Sequence, residues 1–159
     1  MTSQEHADQN LQAEIAALRR QLGSQVTILG HHYQRDEIIR YADLRGDSLE
    51  LSRHAAETDS EFIVFCGVNF MAETAAVLCG PEQTVMQPVA EALCPMAEMA
   101  SRRQAEETLT ALASVWDEPI IPITYQNSTA ELKAFVGEKG GAVCTSSNAR
   151  ALFEWAFDQ

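Results

Sequence analysis

The sequence predicts an α/β layered fold with a mostly parallel sheet, and three observations predict it. Short β-branched and apolar runs, Val26–Leu29, Glu61–Cys66 and Thr84–Met86, alternate with segments of helical periodicity. Gly30 and Gly67 close the first two runs, as expected where a buried strand stops. The alternation then begins again after Pro95, with Pro119–Thr124 and Ala142–Thr145 as further strands.

In chain order, Leu11, Ile15, Leu18 and Leu22 form one helical stripe ending before Gly23, which places a helix over 1–22 on the outside of the domain. Val26–Leu29 reads as a buried parallel strand, with His31–Gln34 at its carboxyl end. A helix from about Asp36 to Leu44 stops at Gly46. Asp47 and Glu50 make a capping box that opens a helix through Ala56. After the strand Glu61–Cys66, Asn69 is expected to cap a helix over Phe70–Leu78, ended by Gly80-Pro81. Thr84–Met86 leads into an irregular stretch bounded by Pro88 and Pro95.

A long helix over Met96–Val115 precedes Pro119–Thr124, whose prolines suit an edge or a strand beginning. Ser128 and Glu131 form another capping box, for a helix that ends at Gly137. Gly140-Gly141 turns into Ala142–Thr145, and Ser146, Ser147 and Asn148 are cap candidates for a last helix reaching Phe157. Both halves set a Tyr plus an amide after a strand (Tyr33-Gln34; Tyr125 with Asn127) and a Ser near a later helix start (Ser48; Ser146). That order suits a duplicated module, but the spacing is loose and leaves a chance echo open.

Charge and composition exclude several functions. With 23 acidic against 11 basic side chains the net charge is −12, which argues against nucleic acid or an anionic membrane as main partner. Hydrophobic residues at 46% are enough for a packed core. No apolar run reaches 18 residues and the opening MTSQEHADQN is polar, so a cytoplasmic chain is expected. Neither GxGxxG nor GxxxxGK[ST] occurs.

Ligands in open α/β sheets bind beyond the carboxyl ends of strands, where His31–Gln34, Cys66–Asn69, Tyr125–Asn127 and Cys144–Ser147 fall. If the backbone stays extended, His31 and Tyr33 face one site as an acid/base pair and His32 faces elsewhere. A satisfied histidine beside a half-buried tyrosine explains the same residues without catalysis. A zinc reading of the double histidine lacks a third ligand. Ser48 and Ser146 sit at helix starts, which suit a phosphate or carboxylate, though capping explains either one alone. Among four cysteines without a CxxC, Cys66, Cys79 and Cys144 read as core, whereas Cys94 lies in a loop just before a helix, where a thiol makes a good metal ligand. One thiolate alone holds no cluster.

Gly30-His-His-Tyr-Gln34, Gly46-Asp-Ser-Leu49, Phe65-Cys-Gly-Val-Asn-Phe-Met-Ala-Glu73, Glu91-Ala-Leu-Cys-Pro-Met-Ala97, Tyr125-Gln-Asn-Ser128 and Cys144-Thr-Ser-Ser-Asn148 occur in the order seen in quinolinate synthases, a family the chain resembles from about Thr27 to Ala149. The resemblance implies repeated three-layer α-β-α modules with small parallel sheets, the first (23–95) complete, the second (96–159) truncated and a third absent. It implies an enzyme of NAD biosynthesis that condenses iminoaspartate with dihydroxyacetone phosphate to quinolinate, losing phosphate and water, in functional association with the enzyme that makes iminoaspartate. The family's [4Fe-4S] cluster is held by three cysteines, one per module, and acts as a Lewis acid.

By motif, Cys94 resembles the first cluster ligand, while His31 and Tyr33 resemble catalytic residues, His31 also binding substrate. Ser48, Tyr125, Gln126, Asn127 and Ser146 fall at substrate-binding positions, although Gln126 stands where Val is common. Asn69 stands where His is common, and Leu93-Cys94-Pro95 replaces the frequent Gly-Cys-Ser. Because the family's other two cluster cysteines and its His-Pro-Glu segment lie in later parts, this chain alone is expected to be inactive and to expose Phe153, Trp155 and Phe157, at a cost in solubility. The alternative is a non-catalytic anion-binding or regulatory α/β protein derived from the same family.

Overall fold

Two parallel sheets, one of four strands and one of two, organise the chain. The computed structural model describes residues 3–159, and side chains from Asp8 onward. Strands β1 (Val26–His31), β2 (Leu44–Gly46), β3 (Phe62–Cys66) and β4 (Thr84–Met86) lie in the order β2-β1-β3-β4. Strands β5 (Ile123–Tyr125) and β6 (Ala142–Cys144) pair with each other. All these pairings are parallel, with Gly30 opposite both Arg45 and Cys66, so the carboxyl ends of β1, β2 and β3 come out level on one rim.

Helices α3 (Ser48–Glu57) and α4 (Asn69–Leu78) cover the first sheet. Leu51 and Ala55 of α3 and Phe70, Met71 and Ala75 of α4 bury against Leu29, Ile63 and Phe65 of the strands. The short helix α2 (Asp36–Ile39) also packs close to β1: a Cβ on Gly30 would stand 2.8 Å from Ile39 Cδ1 and 2.9 Å from the Ala42 Cβ. Around the second sheet lie α5 (Arg102–Ala113), α6 (Ala130–Glu138) and α7 (Ala149–Phe157). Its core is Leu132, Phe135 and Val136, with Ala105 and Leu109 leaning on it. Gly141 is required where the chain enters β6, since a Cβ there would collide with the Pro122 carbonyl. Helix α1 (Ser3–Leu22) stays outside, tied to the first sheet by Arg19, which bonds the Tyr41 carbonyl and the Asp43 carboxylate.

Several elements differ from the sequence reading, each for a local reason. The helix expected over Asp36–Leu44 stops at Ile39, and Leu44–Gly46 becomes edge strand β2. Its one apolar side chain, Leu44, leaves no periodicity to detect. The long helix expected over Met96–Val115 is cut: Pro95–Glu98 forms one 3-10 turn, then Ser101 and Gln104 make a reciprocal capping box that starts α5. Val68, not Asn69, holds the cap position of α4, and Asn69 N–H instead donates to the Ala92 carbonyl at 2.9 Å. Thr129 caps α6 through the Leu132 N–H, because the Ser128 hydroxyl is bonded to the Tyr125 carbonyl at 2.7 Å. The Asp47/Glu50 capping box and β4 stand as expected. No described helix is long and apolar enough to cross a membrane.

Candidate functional site

The rim where β1 and β3 end faces the ends of β5 and β6 across a cleft of about 720 Å³. Topology dictates this, since parallel strands send every strand-to-helix loop to the same side. All eight residues singled out in the sequence, His31, Tyr33, Ser48, Cys94, Tyr125, Gln126, Asn127 and Ser146, line this one cleft. The first three come from the first sheet and the last four from the second, with Cys94 on the segment between them.

His31 closes β1 and is 5% exposed. Burial, then the neighbouring His32 ring, pushes its pKa below the ordinary value, with the Asp47 carboxylate acting upward. The imidazole is therefore neutral at pH 7. Tyr33 N–H donates to His31 Nδ1 at 3.4 Å, which leaves the ring proton on Nε2. The expected alternation of side chains fails just past β1: Gln34 N–H turns back to the His31 carbonyl, and the three rings gather. His32 stacks on His31 with centroids 4.4 Å apart, and Tyr33 meets His31 edge-on at 4.8 Å. His32 thus lines the cleft rather than facing elsewhere, its Nδ1–H donating to the Gly46 carbonyl at 3.1 Å. Tyr33 is 85% exposed, so its hydroxyl stands at the mouth.

Ser48 is the first residue of α3, but the Asp47 carboxylate already accepts from the Leu49 and Glu50 N–H groups at 3.0 and 2.8 Å. Anion binding there would rest on the Ser48 hydroxyl rather than on the whole helix end. Across the cleft, the Tyr125 and Ser146 hydroxyls bond each other at 2.9 Å. Ser146 is no cap; the loop before α7 is held by Asn148 Oδ1, which accepts from Thr145 N–H at 2.7 Å.

Cys94 is half-buried against the first core, and Asn127 Nδ2–H donates to its sulfur at 3.7 Å. Burial raises the thiol pKa of Cys66 and of Cys79, and Cys144 is buried with its thiol donating to the Thr145 carbonyl. Among the described residues no three His, Cys, Asp or Glu side chains converge as a metal site. Gln126 differs from its neighbours: it is 2% exposed and its Nε2–H is spent on Thr74 Oγ1 at 3.2 Å, in the seam between the two sheets. Asp47, which bears on His31, was legible in the sequence only as a cap, and Thr74 carried no signal at all.

The chain matches the family model "Quinolinate synthetase A protein" over residues 13–159. It is similar to the quinolinate synthase of Acidobacterium capsulatum, 55% identical over 153 residues that cover 94% of this chain and 41% of that protein. It is also 51% identical over 155 residues to that of Nocardioides sp., covering 96% and 39%, and 49% identical over 151 residues to that of Bacillus subtilis, covering 94% and 41%. The chain thus spans about 40% of the length of these relatives. With the match extending across both sheets and every wall of the cleft, the chain belongs to the quinolinate synthetase A protein family.

Proposed function

We propose that the cleft is part of the substrate site of a quinolinate synthase, which condenses iminoaspartate with dihydroxyacetone phosphate to quinolinate, phosphate and water in cytoplasmic NAD biosynthesis. The observation that carries this reading is the convergence of eight motif residues from separate segments on one cleft. A second enzyme supplies the iminoaspartate. Neutral His31, with a proton on Nε2, is suited to give a proton to substrate oxygen or nitrogen and take one back. Tyr33 at the mouth is placed to close over the substrate as a second proton donor. The hydroxyls of Ser48, Tyr125 and Ser146 and the amide of Asn127 hold carboxylate or phosphate oxygens. Gln126 serves this site by shaping its floor, since its amide nitrogen is occupied.

The donor set supports an iron–sulfur cluster only in part. Cys94 offers a soft sulfur on the cleft wall with an N–H···S bond from Asn127, the kind of outer contact that tunes sulfur ligands. One thiol is not a cluster site, so the remaining ligands are assigned to the family length that this chain does not span. A [4Fe-4S] cluster bound there would supply Lewis-acid chemistry.

Anaerobic iron–sulfur reconstitution of the 159-residue chain is expected to leave no stable cluster and to yield no quinolinate. A stable cluster with turnover would overturn the assignment of ligands beyond this chain. In a protein extended to full family length, Cys94→Ala should abolish cluster absorbance. Tyr33→Phe should keep the cluster and slow turnover about 100-fold, on the scale of a lost proton donor. An unchanged rate would remove Tyr33 from catalysis.

A further inference from the structure

We infer that Thr74, bonded by Lys133 and Gln126 from the second sheet's side, is a positioning residue that sets how closely Tyr125 and Asn127 approach Cys94 and His31 across the cleft. The inference rests on the cleft being the substrate site, but its test does not.

One face of α4 makes the seam. Phe70, Glu73 and Thr74 stand three and four residues apart and therefore share a side of the helix. Thr74 Oγ1 donates to the Phe70 carbonyl at 2.7 Å and accepts from Lys133 Nζ at 2.9 Å and from Gln126 Nε2 at 3.2 Å. One donor and two acceptor positions exhaust a hydroxyl, so this 9%-exposed group is fully used. Next to it, a Glu73 carboxylate oxygen accepts from the Ala130 N–H at 3.0 Å, at the positive end of α6. Lys133 also lies over the Phe70 ring, 5.3 Å from its centroid. Burial pushes the Lys133 ammonium down to about 8, with Glu73 acting upward. A partly desolvated ammonium gains more from a fixed acceptor than one in water does.

The seam is also the cleft wall. The start of α4 contributes Phe70 and Met71 to the cleft, and Gln126 lies between Tyr125 and Asn127, which line it too. Two of the three hydrogen bonds at Thr74 therefore join it to residues of the cleft wall, Phe70 and Gln126. Losing the hydroxyl should let the β5 end withdraw. The contact that reports this withdrawal is Asn127 Nδ2 to Cys94 Sγ at 3.7 Å.

The test is the alkylation rate of Cys94 in the 159-residue chain, read by peptide mass spectrometry against Cys144 in the same molecule. Thr74→Val keeps the shape and removes the hydroxyl. It should raise the Cys94 rate by about tenfold or more relative to Cys144, since the hydrogen bonds from Lys133 and from Gln126 are both lost. Thr74→Ser restores the hydroxyl and should return the rate to that of the parent, which a purely packing role for the methyl group would not produce. Gln126→Val removes one bond of three and should give a smaller rise. Should Thr74→Val unfold the chain, so that all four cysteines react alike, Gln126→Val decides alone. An unchanged Cys94 to Cys144 ratio in the variants that stay folded overturns the inference. Thiol accessibility does not depend on turnover: a missing synthase activity in the protein extended to full family length, with the expected alkylation pattern in the 159-residue chain, would sink the proposed function and leave Thr74 as the positioning residue.

Discussion

The first sheet and the second are built on one scheme, a parallel strand followed by a helix, but they hold very different cores. Around the first, ten buried apolar residues from β1, β3, α3, α4 and the Ala97 turn form one cluster. Around the second, among the described residues, the buried cluster is Leu132, Phe135 and Val136, and neither α5 nor α7 has a buried residue. Phe153, Trp155 and Phe157 of α7 are 48%, 38% and 85% exposed, as the sequence led us to expect. Burial of apolar area is the main favourable term in folding, so stability is concentrated in the first region and the second leans on it through α4. The His31 and Tyr33 rings come from the well-packed side, and Tyr125, Asn127 and Ser146 from the side that relies on docking.

Cavity-forming substitutions should separate the two regions most clearly. Phe65→Ala, at a fully buried position, should cost about 4 kcal/mol and unfold the entire chain, read as a loss of urea midpoint by circular dichroism. Phe135→Ala, at 1% exposure, should cost about 3 kcal/mol but release only the second region, seen as faster amide exchange in α5–α7 while β1 and β3 stay protected. Equal loss of protection in both regions would mean the core difference does not divide the molecule.

Capping gives a smaller contrast. Asp47→Ala removes the acceptor for two N–H groups of α3, whose Leu51 and Ala55 are anchored in the core, and should cost about 1 kcal/mol. Ser101→Ala removes the acceptor for one N–H, that of Gln104, in the exposed helix α5, where fraying into water softens the loss to about 0.5 kcal/mol. Denaturant midpoints of both variants check the order.

Titration should give the smallest signal. Lys133 has its value lowered from 10.5 to about 8, so between these values the unfolded chain binds more protons than the folded one. The Lys133 contribution to stability therefore rises with pH across that window and is at its least below about 8. Lys133→Met should remove this slope, measured as the difference from the parent because Cys66 and Cys79, with raised values, titrate nearby. His31, lowered from 6.5, favours the folded state above that pH and ceases to do so as pH falls through its folded value. His31→Gln should flatten the acid side of the profile.

Local patterns in the chain predicted well wherever a side chain acts on its own backbone or on a periodic apolar face. The Asp47/Glu50 box, the β3 run and the break at Gly80 needed no partner from elsewhere to be read. Strand β2 was illegible because its pairing with β1 is made by backbone groups, and residues 44–46 show no alternation. The split before α5 was missed because Ser101 competes for Gln104 N–H inside an otherwise helical run. For the site, residue identities were legible and directions were not: extended spacing separated His31 from His32, and one turn bond brought them together.

The order of the helices and of every strand but β2, the chemical types in the cleft and the acidic net charge were determined by the sequence alone, since they depend on neighbours within a few residues or on composition. Tertiary structure decided which of those residues meet. Cys94 beside Asn127, Tyr125 beside Ser146, and Lys133 with Gln126 on Thr74 are pairs 21 to 59 residues apart. No periodicity encodes such distances; they follow from parallel crossovers that return each strand end to one rim, and from two sheets packed so that their rims face.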